Sequence, residues 1–411
     1  MTIAIDGIGL ATAQGIVSEL PWKPDDWYVS RVCFPAVGID SSLTGAARWR
    51  ALAKKALEGF DKAPLLVASC NGGADVWEEA FDTSVLLAGT PWADDCLPVF
   101  SSSCASGIHA LYAARQLLMS GAVDEVLVLA VDILARSNHE NFESLRVLAE
   151  RVSAPWQSTS SGFVLGEAAV VLRVVRGTGE VLLHGPALGS DLSEHDGLRR
   201  VLEEIEPREA GLILGQGTGP FANDAAELAA FAAVVDRGVP ITTPLTHFGH
   251  TLGASGLLAV ALGALTTNCR ALNGACGATL VGGEDHEMRE HVKEGWKKPA
   301  VPGPLMNETL KQLAREAIDH RPLDPPDVLL LRMDKPLTPQ RSAIIGGRLL
   351  PSAVLEITPG FASQLIARCW GFTGPALCLV GDITKDPYGL TSVLNAYQVN
   401  LGDKRGIEWN V

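Results

Sequence analysis

The sequence predicts a layered α/β fold, because short apolar strands alternate with helices along the chain. The runs Leu65–Cys70 and Val126–Val131 are short and continuously apolar, which is typical of buried parallel strands. The segment Ile108–Met119 has the length of a helix and is apolar on most faces, so we expect it to be buried. Similar units begin at Val181 and Gly211. An alternation of this kind is what a layered α/β fold requires.

Composition limits the classes of protein and partner. The chain has 411 residues, of which 47% are hydrophobic and 19% charged, so it has enough apolar residues for a large core in one bilobal domain or two to three units. A net charge of −14 disfavours nucleic acid as a partner. Because the chain has no long apolar run and no basic secretion signal at its start, we expect a cytoplasmic protein without a membrane span.

The cysteines predict neither a metal site nor a disulfide framework. None of them forms a Cys-x-x-Cys pair, which is the usual spacing of zinc and redox sites. Most are therefore predicted to be small buried side chains. The eight cysteines lie at positions 33, 70, 96, 104, 269, 276, 369 and 378.

Cys104 is the candidate nucleophile. A short apolar strand ends just before it, small residues surround it, and a helix begins directly after it. The free N–H groups and the dipole at the start of a helix favour a thiolate, and they can also hold the oxyanion of an attacked thioester. The alternative is a buried cysteine that only packs behind the helix.

Two later segments have the pattern strand, glycine-rich turn and helix. The first contains Gly215–Gly219, with Gln216 and Thr218 inside the turn. The second contains Gly249, His250 and Thr251, followed by a long apolar helix. We expect these two turns to meet the Cys104 turn at one pocket. The alternative for His250 is a histidine that only caps a helix.

In combination and in order, these motifs resemble the β-ketoacyl-acyl-carrier-protein synthases of the thiolase superfamily. The resemblance implies a thiolase-like five-layered αβαβα fold, with residues 1–175 as the half that carries the nucleophile and residues 176–295 as the second half. It covers roughly the first 285 residues. The matching segments are Met1–Gly15, Cys104–Gly107, Ser161–Ala169 with Glu167, Gly217–Gly219 and Gly249–Thr251.

The family resemblance implies an acyltransferase of fatty-acid or polyketide-type biosynthesis. Cys104 would accept an acyl group from the phosphopantetheine arm of an acyl carrier protein or of CoA, and the chain would need no cofactor of its own. His250 matches the second catalytic histidine of the family and would donate a hydrogen bond to the enolate formed on decarboxylation. Thr218, Thr251 and Gly249 would bind substrate or the oxyanion.

The chain departs from the family pattern at several positions. Gln216 stands where the family has its first catalytic histidine, and Pro220 replaces the closing threonine of that motif. An amide donates a hydrogen bond but does not act as a base. Leu245 stands where the family usually has a lysine, and the nearest candidate for its glycine-rich gating loop, Gly274–Gly283, matches poorly.

These departures leave three functions open. Gln216 either preserves decarboxylative condensation by hydrogen bonding alone, or it leaves only acyl transfer from Cys104 to a thiol, amine or hydroxyl acceptor. A third possibility is a non-catalytic partner subunit like the chain-length factors that pair with active ketosynthases. The retained Cys104 and His250 argue against this last function.

The C-terminal residues 296–411 are interpreted as a surface linker, with one amphipathic helix near Leu310–Ile318, and a truncated ketosynthase-like segment. The runs Arg341–Arg348 and Ile357–Leu377 look like the part of a ketosynthase that precedes its nucleophile, but Leu379–Asp382 follows instead of a cysteine motif. Only 103 residues precede Cys104, which is short for the family. Our hypothesis is that this segment supplies the elements that the shortened N-terminal region lacks; the alternative is an accessory surface segment.

The predicted partners are an acyl carrier protein and a second ketosynthase-like chain. Members of the family pair two subunits at the strand before the nucleophile, so the resemblance implies a homodimer or a heterodimer. An acyl carrier protein is typically acidic, and this chain is acidic too, so docking needs a local positive patch. Arg50 and Lys54, four residues apart on one helix, are the candidate patch, although a solvated helix face explains them equally well.

Overall fold

The computed structural model describes most of the chain. The described ranges are residues 2–13, 33–70, 83–95, 97–150, 155–157, 160–179, 181–191, 197–207, 210–219, 221–266, 271–273, 278–282, 295–299, 305, 307–335, 344–345, 348–349, 358–402 and 406–410. Several residues of the predicted motifs lie outside these ranges. They are Met1, Gln14, Gly15, Pro220, 274–277, Gly283, 341–343, 346–347, Ile357, Cys96, Cys269 and Cys276.

Strands and helices alternate through the first two thirds of the chain. The strands are β1 (Ile3–Thr12), β2 (Leu65–Ala68), β3 (Val99–Phe100), β4 (Glu125–Asp132), β5 (Ala168–Arg176), β6 (Val181–Ala187), β7 (Leu212–Leu214), β8 (Ile241–Thr242), β9 (Ala271–Asn273), β10 (Ala278–Val281), β11 (Val328–Met333), β12 (Ile344–Ile345), β13 (Arg348–Leu349), β14 (Ala376–Val380), β15 (Ala396–Gly402) and β16 (Gly406–Asn410). The helices are α1 (Gly45–Ala56), α2 (Thr83–Leu86), α3 (Ser106–Met119), α4 (Arg136–Ser144), α5 (Gly197–Ile205), α6 (Phe221–Val234), α7 (Leu245–Phe248), α8 (Ser255–Ala264), α9 (Glu308–Asp319), α10 (Pro359–Trp370) and α11 (Leu390–Val393).

Fourteen strands form one continuous sheet in the order β16-β15-β11-β14-β3-β2-β4-β5-β1-β6-β10-β9-β7-β8. The two apolar runs predicted as strands are confirmed as β2 and β4, which pair in parallel. Both are buried almost along their whole length, which explains why their sequences are continuously apolar rather than alternating.

Two buried helices form the central layer of the molecule. Helix α3, predicted from its apolar sequence, contacts β2, β4 and β6, while α8 contacts β5, β9 and β10. The two helices also pack on each other, and their leucine, isoleucine and alanine side chains belong to one large buried cluster. Gly107 permits the close approach, because a Cβ there would lie 2.8 Å from the carbonyl oxygen of Gly253. Sheet halves on either side of buried helices are the arrangement of the thiolase-like fold, as predicted.

The two predicted domain boundaries, after residues 175 and 295, can be located relative to the strands and helices. The boundary at residues 175 and 176 lies at the end of β5, and the second half, β6 to β10, joins the first through the antiparallel pair of β1 with β6. Residues 296–411 were predicted to include a surface linker. The amphipathic helix predicted within this linker is confirmed as α9, whose N-cap Asn307 accepts hydrogen bonds from two backbone N–H groups. The apolar face of α9 is buried. The three-part division itself stays a prediction.

A buried ion pair connects α1 to the strand region that precedes β5. Glu167 is fully buried and Arg48 is 2% exposed. The guanidinium Nε of Arg48 donates to Glu167 Oε2 at 2.8 Å, and the backbone N–H groups of Ala36 and Leu134 donate to the same carboxylate at 2.8 and 3.2 Å. Glu167, which belongs to one of the matching motifs, therefore neutralises a buried cation and organises three chain segments.

Among the described residues, no helix combines the length and apolar character that crossing a membrane would need. Within the same ranges, no group of three or more His, Cys, Asp or Glu side chains is placed to hold a metal ion.

Candidate active site

The Cys104 turn joins β3 to the buried helix α3. Ser103 adopts a left-handed backbone conformation with φ of 54°, which is uncommon for a residue with a side chain. Ser106 stabilises this turn from the first position of α3, since its Oγ accepts from the N–H of Ser102 and donates to the carbonyl of Ser103. The half-buried Cys104 therefore sits in a strained turn at the amino end of a 14-residue helix.

Cys104 and His250 are in contact although 146 residues separate them. The Sγ of Cys104 lies 3.1 Å from Nε2 of His250, and Nδ1 of the same ring lies 3.0 Å from the Oγ of Ser255. The ring of Phe163 packs edge-on against the imidazole at 4.5 Å between centroids. Nε2 therefore faces the sulfur, and Nδ1 faces the Ser255 hydroxyl. The structure thus brings together the two residues that the sequence predicted as the reactive pair.

The backbone around His250 is fixed by pairing with the segment that precedes β5. The N–H of His250 donates to the carbonyl of Val164 at 2.8 Å, and the N–H of Gly166 donates to the carbonyl of His250 at 3.1 Å. Gly249 has φ of 69°, and a Cβ at this position would approach the ring of Phe34 and the backbone of Gly166. Gly249 is therefore required by this close approach, which sets the position of the imidazole.

The pKa of the Cys104 thiol lies well below its usual value. A hydrogen bond with the side chain of Cys70 is the largest cause, followed on the lowering side by the charge and hydrogen bond of His250, while burial opposes them. Cys70 was predicted to be an ordinary buried cysteine, so sequence reasoning missed its role. It follows β2, the parallel neighbour of β3, and the carboxyl ends of adjacent parallel strands lie at the same edge of a sheet.

Asp132 is a second residue that the sequence analysis missed. It is 2% exposed, and its carboxylate accepts from the Oγ of Ser69 at 2.7 Å and from the N–H of Gly253 at 2.7 Å. It also accepts from the N–H of Cys70 at 3.0 and 3.1 Å to its two oxygens. Asp132 ends β4, and it therefore holds the Cys70 segment and the turn after His250 in a fixed relation.

A cavity of about 470 Å³ opens at the thiol. Its lining combines the predicted site residues Cys104, Gln216, Thr218 and His250 with apolar side chains and with acidic ones. The apolar lining includes Phe142, Leu145, Val147, Phe163, Leu198 and Val201, and the acidic lining is Asp191, Asp224 and Glu227. A cavity with apolar walls and a few converging polar groups at a nucleophile is typical of a substrate site.

Thr251 and Gly249 do not line this cavity. Together with Gln216 and His250 they border a small cavity of about 10 Å³ on another side of the imidazole. The Oγ1 of Thr251 lies 3.1 Å from the Oγ of Ser255, the residue that contacts His250 Nδ1. Their predicted role in binding substrate or the oxyanion stays a prediction, while their observed contacts position the histidine.

The turn that carries Gln216 is held by two acidic side chains of α6. Glu227 accepts from the N–H groups of Gln216 and Gly217 at 2.6 and 3.0 Å and from the indole N–H of Trp156 at 2.7 Å. Asp224 accepts from the N–H of Gly219 at 2.9 Å. Burial raises the pKa of Glu227 even though these three donors favour its charged form. The carboxylates thus fix the backbone, and the Gln216 side chain is left to line the cavity.

Leu245, which stands where the family usually has a lysine, has apolar surroundings in the structure. Leu245 is buried and packs in a cluster with Leu134, Leu165 and Leu252. Of the candidate gating segment Gly274–Gly283, the described residues 278–281 form β10, which pairs with β6 and β9 inside the sheet. That segment is therefore a strand where it is described.

We expect Cys70→Ala to raise the pKa of Cys104, because it removes the strongest group that lowers it. The rate of alkylation by iodoacetamide follows the thiolate fraction, so its midpoint should move to higher pH by about one unit or more. Cys369→Ala is the matched control, since Cys369 is buried in the C-terminal cluster. An unchanged midpoint in Cys70→Ala would contradict the contact between the two thiols.

Two protein domain families match successive parts of the chain. The family described as "Beta-ketoacyl synthase, N-terminal domain" matches residues 98–177, which contain the nucleophile turn. The family described as "Beta-ketoacyl synthase, C-terminal domain" matches residues 192–274, which contain the Gln216 and His250 turns.

Curated relatives match at modest identity over part of their length. A Streptomyces virginiae protein named as polyketide beta-ketoacyl synthase 1 is 30% identical over 196 residues, which is 41% of this chain and 47% of the relative. The chloroplastic 3-oxoacyl-[acyl-carrier-protein] synthase I of Arabidopsis thaliana is 28% identical over 186 residues, which is 38% of this chain and 39% of the relative. The chain thus spans about half the length or less of these relatives.

Solved structures share the fold at low identity. The ketosynthase from module 6 of the bacillaene synthase of Bacillus subtilis superposes with a TM-score of 0.56 and 15% identity, over 78% of this chain and 77% of that chain. A ketosynthase in complex with its chain length factor from Xenorhabdus doucetiae gives a TM-score of 0.53 and 18% identity, over 68% of this chain and 98% of that chain.

Fold and site together define a thiolase-fold protein with a cysteine–histidine centre at a cavity. The order of the two matched families along the chain agrees with the order of the nucleophile and histidine turns in the structure. The chain is therefore similar to the β-ketoacyl synthases over residues 98–177 and 192–274.

Proposed function

We propose that Cys104 accepts an acyl group as a thioester from the phosphopantetheine arm of an acyl carrier protein, and that the chain condenses or transfers this group in fatty-acid or polyketide-type biosynthesis. The observation that carries the proposal is the 3.1 Å contact between Cys104 Sγ and His250 Nε2 at the mouth of the 470 Å³ cavity. A thiol with a lowered pKa, set at the start of a helix, has the properties of a nucleophile.

Loading is a thioester exchange. The Cys104 thiolate attacks the carbonyl carbon of the incoming thioester, a new carbon–sulfur bond forms, and the bond to the pantetheine sulfur breaks. The departing pantetheine thiolate then takes up a proton from solvent, so the exchange needs no external oxidant or reductant. The dipole at the start of the 14-residue α3 would stabilise the negative oxygen of the intermediate.

Condensation would add a second, carrier-bound malonyl thioester. Loss of carbon dioxide leaves its electron pair as an enolate, whose carbon attacks the Cys104 thioester and releases the cysteine thiolate. A protonated Nε2 of His250, which faces the thiol, would donate to the enolate oxygen as charge develops there. The Gln216 amide lines the same cavity and can donate to the thioester carbonyl, although it does not act as a base.

Acyl transfer without decarboxylation is the second candidate function. Gln216 in place of a titratable histidine and the buried Leu245 in place of a lysine both favour it, because each removes a group that would stabilise charge during condensation. In this case Cys104 is acylated, and a thiol, amine or hydroxyl acceptor then receives the group. A chain-length-factor-like role, like that of the partner in the Xenorhabdus doucetiae complex, is disfavoured by the Cys104–His250 contact.

One series of reactions separates these functions. The full chain is incubated with a labelled acyl thioester on an acyl carrier protein, and its intact mass is measured, with Cys104→Ala as the control. We expect the mass of one acyl group on the native chain and none on the variant. Addition of malonyl carrier protein then releases carbon dioxide only if the chain condenses. Absence of acylation on the native chain would refute both enzymatic functions and leave the non-catalytic one.

We expect Gln216→His to increase the release of carbon dioxide from malonyl carrier protein if condensation is the function. An imidazole at this position restores an acid–base group, and such groups contribute about 10²–10⁴-fold to rate, so a rise of at least about ten-fold is predicted. Gln216→Ala serves as the control, since it removes the amide without adding a titratable group. No difference between the two variants would contradict the assigned position of Gln216 in the reaction.

A further inference from the structure

The C-terminal part of the sheet repeats the topology of the part that carries Cys104. In the first part, β2 lies between β3 and β4 and is parallel to both, and β4 pairs antiparallel with β5. In the C-terminal part, β11 lies between β14 and β15 and is parallel to both, and β15 pairs antiparallel with β16. When the four strands of each set are numbered in chain order, they lie side by side in the sheet in the order second, first, third, fourth.

The helices of the two sets correspond as well. Helix α1 precedes β2 as α9 precedes β11, and α2 precedes β3 as α10 precedes β14. The sets differ after the second strand. Residues 101–124, between β3 and β4, contain Cys104 and the 14-residue α3. Residues 381–395, between β14 and β15, contain a three-residue 3₁₀ helix (Pro387–Gly389), the four-residue α11 and no cysteine. The C-terminal set is thus a shortened copy without a nucleophile.

The two sets meet at the strand that leads to Cys104. Strands β3 and β14 pair antiparallel, with Phe100 opposite Leu379 and Val99 opposite Val380. Two equivalent strands paired antiparallel are related by an approximate two-fold axis, which is the geometry of an isologous interface between identical subunits. In this chain the same geometry is formed within one molecule, and the edge of β3 is filled.

We propose that residues 305–410 act as a built-in partner, a nucleophile-free copy that occupies the β3 edge in place of a second chain and completes the Cys104 site. This inference is independent of the reaction proposed above, because it concerns which chain covers β3. It replaces the predicted dimer at this edge by an intramolecular interface.

The copy contacts the nucleophile turn directly. The N–H of Ser101 donates to the carbonyl of Cys378 at 2.9 Å. At the start of α10, Gly360 packs so closely on the turn that a Cβ there would lie 2.6 Å from the Cα of Ser102, two residues before Cys104. The strained turn that presents the thiol is therefore supported from one side by the C-terminal copy.

The copy also holds one wall of the cavity. The N–H of Ser190 donates to the carbonyl of Thr373 at 2.9 Å, and its Oγ donates to the carbonyl of Gly374 at 2.9 Å. Residues Gly189 and Asp191, on either side of Ser190, line the cavity at Cys104. Ser190 is 1% exposed, so these bonds are shielded from water. The copy therefore supports this wall from behind, through the backbone carbonyls that Ser190 binds.

The interface is apolar and continuous with the main core. Leu330, Leu377 and Leu379 of the copy belong to the same buried cluster as Ile108 and Leu111 of α3. A shared core of this kind is expected of a permanent interface and not of a transient contact.

Hydrogen exchange of the full chain tests the proposal. We expect the amides of residues 99–101 and 376–380 to exchange more than about 1,000-fold more slowly than unstructured peptide, which corresponds to sheet inside a stable core. Since the interface lies within one chain, this protection should stay constant over a hundred-fold dilution, whereas protection by a second chain falls by mass action. Light scattering on the same samples gives the mass. Protection that is absent or is lost on dilution would overturn the proposal.

A glycine pair provides the matched variants. Gly360→Ala places a methyl group against the backbone of Ser102. We therefore expect the amides of residues 99–101 and 376–380 to exchange faster together. We also expect the alkylation rate of Cys104 to change at least several-fold. Gly295→Ala is the control, because a Cβ there meets no atom within 4 Å. If Gly360→Ala does not fold, the dilution series on the unaltered chain still decides. Exchange that increases in one segment alone would contradict pairing of β3 with β14.

Discussion

His250→Ala is expected to slow the alkylation of Cys104 at neutral pH by about 10- to 100-fold. The charge and hydrogen bond of His250 both lower the pKa of the thiol, and burial, which raises it, remains when the ring is removed. The pKa therefore rises in the variant. Below the new pKa the thiolate fraction, and with it the rate, falls ten-fold per pH unit, while above it the two proteins react alike.

The pH profile distinguishes this effect from a general loss of structure. The rate of the native chain should be nearly independent of pH down to a low midpoint, and that of His250→Ala should show a midpoint shifted upward. His247→Ala is a close control, since His247 lies on α7, three residues before His250, and is exposed. Its ring contacts Phe248. An unshifted midpoint in His250→Ala would remove the basis for treating these two residues as one reactive pair.

The second large effect is on stability. Glu167→Gln is expected to lower the free energy of unfolding by about 3–5 kcal/mol, because it leaves the buried Arg48 without a counter-charge. The new amide also presents a donor toward a guanidinium and backbone N–H groups that are donors themselves. Urea denaturation followed by fluorescence measures the difference.

An exposed ion pair gives the comparison. Arg199 and Glu203 pair at 2.7 Å on α5, and both side chains are 45% exposed, so Glu203→Gln should cost less than about 1 kcal/mol. Glu167 also follows Gly166, whose N–H bonds the carbonyl of His250. We therefore expect folded Glu167→Gln to show slower acylation of Cys104 as well. Equal costs for the two substitutions would show that Glu167 is not the organising charge described above.

Much of the fold could be predicted from local patterns, because buried strands and helices consist mostly of apolar residues. The strands β2 and β4 are buried almost throughout and are almost entirely apolar, and most residues of the helix α3 are buried and apolar. The thiolase-like fold was implied by the family resemblance of the ordered motifs, and the alternation of these elements agrees with it. The amphipathic helix predicted near Leu310–Ile318 is confirmed as α9. Its apolar face packs in one cluster with α10 and β11, which could not be predicted because an amphipathic pattern does not say which surface covers it.

The site could be predicted only where a motif carries it. Cys104 and His250 each lie in a glycine-rich turn between a strand and a helix, so their residue types and settings were visible. Cys70 and Asp132 have no such setting. Their roles depend on β2 being the neighbour of both β3 and β4, which is a matter of strand order in the sheet. The pairing of β14 with β3 depends on the same kind of information.

The position of β14 in the chain also bears on how the protein is synthesised. Val99 and its pairing partner Val380 are about 280 residues apart, so the ribosome releases the β3 edge long before the strand that covers it exists. During that interval an apolar strand edge is open to other nascent chains, and chaperone binding is a natural safeguard against their association. Folding of the nucleophile region should therefore finish only after β14 has left the ribosome.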